Sequence, residues 1–209
     1  SYSLSHTMTN DTRAFTLVEA LVGVGILVIV GFAAYEFQRN TFSLSTIISN
    51  GLSAQMEARM TLKHVSAELR AASPSSTGSY ALETVSTSTL TFYTNIDADN
   101  LQERLRYFLS GTTLRRGVLK PTGNPLVYNT ANEVVTDIVH NVSNSSSTPV
   151  FSYYDSTYNG TTTPLASPVT ASSVRLIKML LSIDSNITKP PDALVLTTQI
   201  TMRNLKDNL

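Results

Sequence analysis

The stretch FTLVEALVGVGILVIVGFAAY, residues 15–35, decides the fold of the N-terminal part of this chain. Glu19 is the only Asp, Glu, Lys, Arg or His residue in this stretch, and the stretch contains no proline. A helix of about 21 residues at about 1.5 Å per residue covers about 30 Å, which is the thickness of the hydrocarbon core of a bilayer. The stretch therefore predicts a transmembrane helix. A cleaved secretory signal peptide is the competing interpretation, but its apolar region usually has only about 7 to 15 residues.

The helical pattern continues beyond Tyr35, because all eight prolines of the chain fall at or after Pro74. Small or apolar residues recur every three or four positions and form one stripe: Leu44, Ile47, Gly51, Ala54, Ala58, Leu62, Val65, Leu69 and Ala72. This spacing predicts an amphipathic second half of the helix that buries the stripe. Ser73 precedes a proline and disfavours helical geometry, which predicts that the helix ends near Ala72.

The remainder of the chain contains stretches of β-type composition that are separated by turn residues. The predicted strands are Thr89–Thr94, Arg104–Leu109, Leu114–Lys120, Val150–Tyr154, Val174–Ile183 and Leu194–Arg203. The segment 131–142 fits a short helix or a strand, and both remain open. Because no long helix pattern interrupts the strands, we predict an antiparallel sheet that packs one face on the amphipathic half of the helix. The Ser/Thr/Pro-rich segments 144–149 and 157–173 predict surface loops.

Composition limits the chemistry that this chain can perform. Fifteen basic and fifteen acidic residues give a formal net charge of zero, so no bulk field attracts nucleic acid or anionic lipid. Cysteine is absent, and His6, His64 and His140 are far apart in the sequence, so no spacing indicates a metal centre or a general base. Serine is frequent, but no G-x-S-x-G motif accompanies it. We therefore predict no enzymatic activity, no cofactor and no nucleic-acid partner.

Two charged patterns have a weak functional interpretation beside an ordinary structural one. Asp97 and Asp99 alternate like the first ligands of a calcium loop, but the glycine and the distal glutamate of an EF-hand loop are missing. An acidic turn is the favoured interpretation, and no metal site is predicted. Arg115 and Arg116 form a basic pair in a predicted strand, where a solvated sheet edge is favoured over a nucleic-acid contact.

Glu19 is the residue that does not fit an ordinary membrane helix. A carboxylate within hydrocarbon costs on the order of 2 to 3 kcal/mol on insertion scales, so it predicts a functional site with a partner that neutralises the charge. The alternatives are protonation of the carboxyl group and a position high enough in the interface to be hydrated.

The residues around Glu19 resemble a known motif. The sequence from Ala14 to Val22, AFTLVEALV, resembles the prepilin cleavage and methylation motif of type IV pilins and type II secretion pseudopilins. The resemblance implies that a prepilin peptidase cuts between Ala14 and Phe15 and that Phe15 becomes the N-methylated mature terminus. It also implies that Glu19 pairs with the amino terminus of a neighbouring subunit. Such a pair would cancel two charges that are costly in hydrocarbon and would fix the axial register between subunits.

Two features depart from the pattern of that family. Ala14 stands where the family nearly always has glycine, and the leader carries Arg13 as its only arginine or lysine. Initiation at Met8 would give a typical short leader, so a start at Met8 and a start upstream of it both remain open.

Looser matches follow later in the chain. They are Leu69–Ala72, Ser88–Tyr93, Leu105–Leu109, Leu114–Arg116, Val150–Asp155 and Thr197–Asn204. Together with the size of the C-terminal part, they resemble the larger minor pseudopilins, especially type II secretion protein J. The resemblance implies a subunit that initiates or caps a pseudopilus and supports protein export.

The predicted organisation is an α+β chain of pilin-like architecture. It comprises a leader at 1–14, a transmembrane helical half at 15–37, an amphipathic helical half at 38–73 and a β-rich head at 74–209. The resemblance implies a single-pass protein of the inner membrane with its head on the periplasmic side. Its implied partners are other pilins or pseudopilins, a prepilin peptidase, an inner-membrane assembly platform and, before assembly, membrane lipid.

Two other functions remain open. The first is a minor pilin of a type IV pilus that serves adhesion, motility or DNA uptake. The second is a binding domain that a single membrane helix merely tethers.

Overall fold

The structure is a computed structural model that describes residues 16–97, 99–184 and 193–202, without the side chains of residues 40–51. Helix α1 spans Leu17–Arg70. The chain divides into two units, Ser1–Ile48 and Ser49–Leu209, and this division falls inside α1. The amphipathic end of the helix therefore belongs to the same unit as the β-strands. We call this unit, Ser49–Leu209, the head.

The C-terminal end of α1 leads directly into the sheet. The helix ends at Arg70, within about two residues of the predicted end. After it, the Ser73 N–H donates a hydrogen bond of 3.0 Å to the carbonyl of Tyr93. Pro74 follows immediately, so the chain cannot resume the helix and continues as a loop.

The unit Ser49–Leu209 contains eight strands among the residues that the structure describes. They are β1 Leu82–Val85, β2 Thr89–Thr94, β3 Glu103–Ser110, β4 Thr113–Leu119, β5 Val134–Val139, β6 Phe151–Tyr154, β7 Leu176–Ile183 and β8 Leu194–Thr201. They form a five-stranded sheet in the order β1-β2-β3-β4-β5 and a three-stranded sheet in the order β6-β7-β8. All pairings are antiparallel, as predicted. Periodicity predicted one sheet, whereas the strands divide into two.

The predicted strands match the observed ones in position. The prediction for β2 is confirmed residue for residue, and the other five overlap a strand with boundaries shifted by about one or two residues. The open segment 131–142 contains strand β5, preceded by a 3-10 turn at Thr130–Asn132. Strand β1 was missed because four residues are too few to show an alternating pattern. The end predicted at Arg203 lies outside the described residues.

The helical stripe predicted from the sequence forms part of the core of this unit. Its buried members are Ala58, Leu62, Val65, Leu69 and Ala72, and Ala54 packs against them. They share one cluster with side chains from both sheets, including Leu90, Phe92, Leu105, Tyr107, Phe151, Tyr153, Ile177, Met179 and Leu181. Full burial contributes about 1.5 to 3 kcal/mol for each large apolar side chain, so the stripe stabilises the unit substantially. The side chains of the earlier stripe residues Leu44 and Ile47 lie outside the described part.

Hydrogen bonds connect the two sheets within this unit. The Tyr153 hydroxyl of β6 donates to the Ser86 carbonyl at 2.7 Å, and the Phe151 N–H donates to the Thr87 carbonyl at 3.0 Å. Both acceptors lie in the turn between β1 and β2. Burial raises the pKa of the Tyr153 phenol, so it remains a neutral donor across the physiological range.

Candidate functional site

The first turn of α1 holds the acid that the sequence singles out. Thr16 caps this turn: its carbonyl accepts the Ala20 N–H at 3.1 Å, and its Oγ1 accepts the Glu19 N–H at 3.2 Å. A threonine followed three residues later by glutamate is the pattern of a capping box, of which this Oγ1 contact is one of the two bonds. A carboxylate is also favourable beside the positive end of the helix dipole. Glu19 therefore has a local structural role that the sequence analysis missed.

The helix around Glu19 exposes apolar side chains. Among the described residues, Leu17–Arg39 is the one helical segment long and apolar enough to cross a bilayer, and none of its apolar window is buried. Leu27 is 71% exposed and Phe32 is 67% exposed. Since apolar side chains surround the helix, no face of this segment is suited to water.

The structure places only part of the predicted assembly site. Glu19 lies exposed in the first turn of α1, and within the described residues no basic side chain forms an ion pair with it. The predicted cleavage residues Ala14 and Phe15 lie outside the described part of the chain, as does Met8. The cleavage and methylation of the chain therefore remain predictions.

A second group of charges lies between the amphipathic end of α1 and the five-stranded sheet. The Glu68 carboxylate accepts hydrogen bonds from the Tyr107 hydroxyl and from Arg116 Nη2, the latter at 2.5 Å. His64 Nε2 lies 3.2 Å from Glu68 Oε1. Burial, together with the neighbouring charge of Glu68, raises the pKa of Tyr107. Glu68 does not belong to the stripe that helical periodicity predicted to be buried, yet only 10% of its side chain is exposed.

Each arginine of the basic pair in β4 lies beside an acidic side chain of the same unit, Ser49–Leu209. Arg116 binds Glu68, and Arg115 Nε lies 2.8 Å from Asp137 Oδ1, a charge contact whose angle is not that of a hydrogen bond. The interpretation of this pair as a solvated sheet edge is wrong. Strand β4 lies between β3 and β5, and β5 covers the edge that the sequence analysis left open.

A ladder of ion pairs crosses the five-stranded sheet. Arg104 donates two hydrogen bonds to Glu83, at 2.6 and 2.8 Å, and Arg106 donates two to Glu133, at 2.8 and 2.5 Å. A β-carbon on Gly117 would lie 2.7 Å from Cδ of Glu133, so glycine provides the space for this carboxylate. The Arg106 hydrogen bonds lower the pKa of Glu133 and outweigh the opposing effect of burial. The ladder pairs each acid with an arginine and is structural.

The connection between β2 and β3 gathers a different set of charges, which we call the acidic turn: Asp97, Asp99, Glu103 and Lys120. One carboxylate oxygen from each of the three acids lies within 4.8 Å of the others. Lys120 Nζ lies 2.8 Å from Asp97 Oδ2 and also pairs with Asp99. The hydrogen bond from Lys120 lowers the pKa of Asp99, and the same contacts raise the pKa of the lysine.

Glu103 is the unusual member of the acidic turn. It is the first residue of β3 and only 1% exposed. Its Oε2 accepts the Ile96 N–H at 3.0 Å, while its Oε1 is buried with no hydrogen-bond partner in the described part of the chain. A buried carboxylate oxygen without a partner is costly and calls for an explanation.

Sequence analysis missed Glu103 and Lys120 as members of this turn. The antiparallel register pairs Thr94 with Glu103, and it pairs Arg104 with Leu119. Glu103 and Lys120 therefore lie near Asp97, although Lys120 is distant from it in the sequence. The strands predicted at 89–94 and 104–109 form a hairpin, and this hairpin already indicated that Glu103 lies close to the end of the first strand.

No protein-family model matches the sequence, and no curated protein matches it significantly. The candidate functional site is therefore defined by geometry and residue chemistry: the exposed apolar segment Leu17–Arg39 with Glu19 in its first turn, and the acidic turn of the head.

Proposed function

We propose that this chain is a membrane-anchored subunit of a filament of the type IV pilin class, a minor pseudopilin of a type II secretion system. In this proposal it works by assembly and has no catalytic role. Before assembly its helix spans the inner membrane, and its head lies on the periplasmic side. The observation that carries the proposal is the exposed apolar segment Leu17–Arg39 with the carboxylate of Glu19 in its first turn.

Lipid and neighbouring helices are equivalent surroundings for this segment. A helix satisfies its own backbone N–H and C=O groups, which is the condition for a segment to lie in hydrocarbon. Its apolar side chains can then exchange lipid for the helices of other subunits without any return to water. Assembly in the membrane therefore needs a specific contact that selects the partner and its register.

Glu19 supplies that contact in the proposal. An unpaired carboxylate in hydrocarbon costs on the order of 2 to 3 kcal/mol. The amino terminus of an adjacent subunit, at a Phe15 exposed by cleavage after Ala14, would cancel that charge and define the axial register. The competing explanation is that Glu19 serves only the capping box with Thr16.

Two substitutions separate these explanations. Glu19→Gln keeps a side chain that can complete a capping box but removes the charge, whereas Glu19→Leu removes both. Charge pairing predicts that both variants enter the membrane but that each co-isolates with filament partners at least about tenfold less than the wild type. The measurement is recovery of the chain with other pilins or pseudopilins after cross-linking in intact cells. If Glu19→Gln assembles as well as the wild type, the role of Glu19 is limited to the capping box with Thr16.

The mature terminus provides an independent measurement. Intact-mass analysis of the membrane-extracted chain should show a species that begins at N-methylated Phe15. A chain that keeps the residues before Phe15 and still enters filaments would contradict the proposed charge pair, because the amine would be in a different place.

The same variants distinguish the type of filament. Loss of protein export in the Glu19→Gln strain supports the pseudopilus, while loss of pili or motility with export intact indicates a minor pilin. A tethered binding domain predicts that neither function depends on the charge of Glu19.

A further inference from the structure

The exposed side of α1 within the head carries a row of apolar side chains, which we call the ridge: Leu52, Met56 and Met60. They follow one another at intervals of four residues, so they lie on one line along the helix. Each is between 65% and 68% exposed. Methionine is enriched at protein–protein interfaces because its flexible side chain adapts to a partner surface. The ridge therefore indicates a surface that another molecule covers.

A basic row runs along one side of the ridge. Arg59 and Lys63 are both exposed and lie four residues apart on α1. The helical period of 3.6 residues places them next to Met56 and Met60, on the side of the ridge that faces away from Glu57. Within the ranges that the structure describes, no acidic side chain pairs with either of them.

An acidic groove opens on the other side of the ridge, between α1 and the edge strand β5. It has a volume of about 390 Å³, and its apolar walls include Met60 and Ile138. Glu57 and Asp137 line the same groove. Glu57 Oε1 lies 3.5 Å from His140 Nδ1, and this imidazole carries a positive charge only when it is protonated.

The arginine that also lines the groove is already bound by the protein. Arg116 Nη2 donates to Glu68, and its Nε donates to the Tyr107 hydroxyl at 3.1 Å. The negative charge of Glu57 is therefore the one that an incoming cation can pair with.

The opposite charges on the two sides of the ridge select the orientation of a partner helix. When two identical helices pack in parallel by the same face, the basic side of each meets the acidic side of the other. In an antiparallel pair, equal sides meet and like charges repel. A second copy of this chain is therefore complementary to the ridge and its flanks when it packs in parallel.

A membrane anchor imposes the same orientation. Two copies that span a bilayer in the same direction hold equal residues at equal heights, so Met56 of one copy faces Met56 of the second copy. Glu57 and Arg59 differ in height by two residues, or about 3 Å, which a long arginine side chain spans easily.

We propose that the ridge is an interface between two copies of this chain, which pack in parallel with the basic row of each copy against the acidic groove of the other. The interface rests on the membrane anchor of the proposed function and adds a contact between heads that the Glu19 charge pair does not provide. Because it uses the same face on both copies, it closes as a dimer and does not propagate. It therefore holds two copies together in the bilayer before either one enters a filament.

Cysteine cross-linking of the full chain in lipid vesicles tests the proposal, because the chain contains no cysteine of its own. On mild oxidation, Met56→Cys should give at least about fivefold more disulfide-linked dimer than Val195→Cys, because a disulfide forms only between closely placed residues. Val195 is an exposed apolar residue of β8 outside the ridge, so its variant measures random collision.

Charge reversal makes the test specific. In the Met56→Cys chain, Glu57→Lys should lower the dimer yield at least about fivefold, because it places a cation opposite Arg59 of the second copy. Arg59→Glu should have the same effect. The double variant Glu57→Lys with Arg59→Glu restores opposite charges and should restore the yield. Equal yields from Met56→Cys and Val195→Cys, or no recovery in the double variant, would overturn the proposal.

The cross-linking result is separable from the tests of Glu19. Glu19→Gln should leave the yield of Met56→Cys dimer in vesicles unchanged, because no filament partner is present there. If Glu19→Gln assembles normally in cells while the cross-link forms, the filament proposal fails and the dimer stands. If the charge reversals leave the cross-link unchanged while Glu19→Gln abolishes co-isolation with filament partners, the dimer fails and the filament proposal stands.

Discussion

The two units of this chain satisfy their side chains in opposite ways. In the first unit, Leu27 of the apolar segment is 71% exposed, whereas Leu69 of the same helix is fully buried in the second unit. The charges differ in the same sense, because Glu68 is paired within the head while Glu19 is exposed. A group that the protein satisfies internally stabilises the fold. A group that is exposed although it is unsuited to water indicates a surface that other molecules cover.

The largest expected effect comes from a matched pair of leucines in α1. Leu69→Ala should lower the free energy of unfolding of the head by about 2 to 5 kcal/mol, because it leaves a cavity between the helix and the sheets. Leu27→Ala should change it by less than about 0.5 kcal/mol. Denaturant unfolding of the full chain in detergent, followed by tyrosine fluorescence, measures both. Equal losses of unfolding free energy in the two variants would contradict this difference between the units, since the stability of the head would then depend on the apolar segment.

The adjacent arginines of β4 give a smaller effect. Arg116→Gln should destabilise the head by about 2 kcal/mol, because it removes the guanidinium group that pairs with the nearly buried Glu68 carboxylate. Arg115→Gln removes a more exposed partner from Asp137 and should cost less than about 0.5 kcal/mol. The same unfolding measurement applies. A cost for Arg115→Gln as large as that for Arg116→Gln would contradict the structural difference between the two pairs.

The smallest expected effect is a pH dependence at Glu133. Its pKa in the folded head lies below the usual 4.5, so its pairing with Arg106 stabilises the head above that pH. The contribution is lost as the pH falls from 4.5 through the lower folded value. We expect Glu133→Gln to be less stable than the wild type by about 1 kcal/mol at most near neutral pH, with the difference shrinking below pH 4.5.

Urea unfolding at a series of pH values checks this expectation. Asp137→Asn serves as the control, since Asp137 belongs to a surface pair and should change stability by less than about 0.5 kcal/mol at each pH. A difference between wild type and Glu133→Gln that grows on acidification would contradict the sign of the effect.

Local patterns predicted the features that local physics determines. The buried stripe with Ala58 and Leu69 follows from the helical period of 3.6 residues, which burial on one face imposes directly. The apolar run follows from its length and composition. Strand β2 follows from its β-type composition, and all of its residues after Thr89 are buried. The end of α1 follows from the backbone restriction before Pro74. These features require no knowledge of what lies across the core.

The features that the sequence did not reveal depend on contacts between distant segments. Whether the described strands form one sheet or two is decided by tertiary packing and not by the alternation of apolar and polar residues. Glu68 lies outside the predicted stripe but is nearly buried, because β3 and β4 bring Tyr107 and Arg116 against it. The acidic turn likewise depends on hairpin register, which places Glu103 beside Asp97. Among these, only the β2–β3 hairpin left a readable signal in the sequence.

The sharing of one core between α1 and the sheets has a mechanical consequence. Residues Ala58 to Ala72 supply a buried row of side chains to the head, and the Ser73 N–H bonds the carbonyl of Tyr93 directly after it. Tension applied along this part of the helix is therefore resisted by shear across several turns of packed side chains rather than by a single flexible connection. Withdrawal of residues 58–72 from the core therefore requires unfolding of the unit Ser49–Leu209, because the buried row is part of its core.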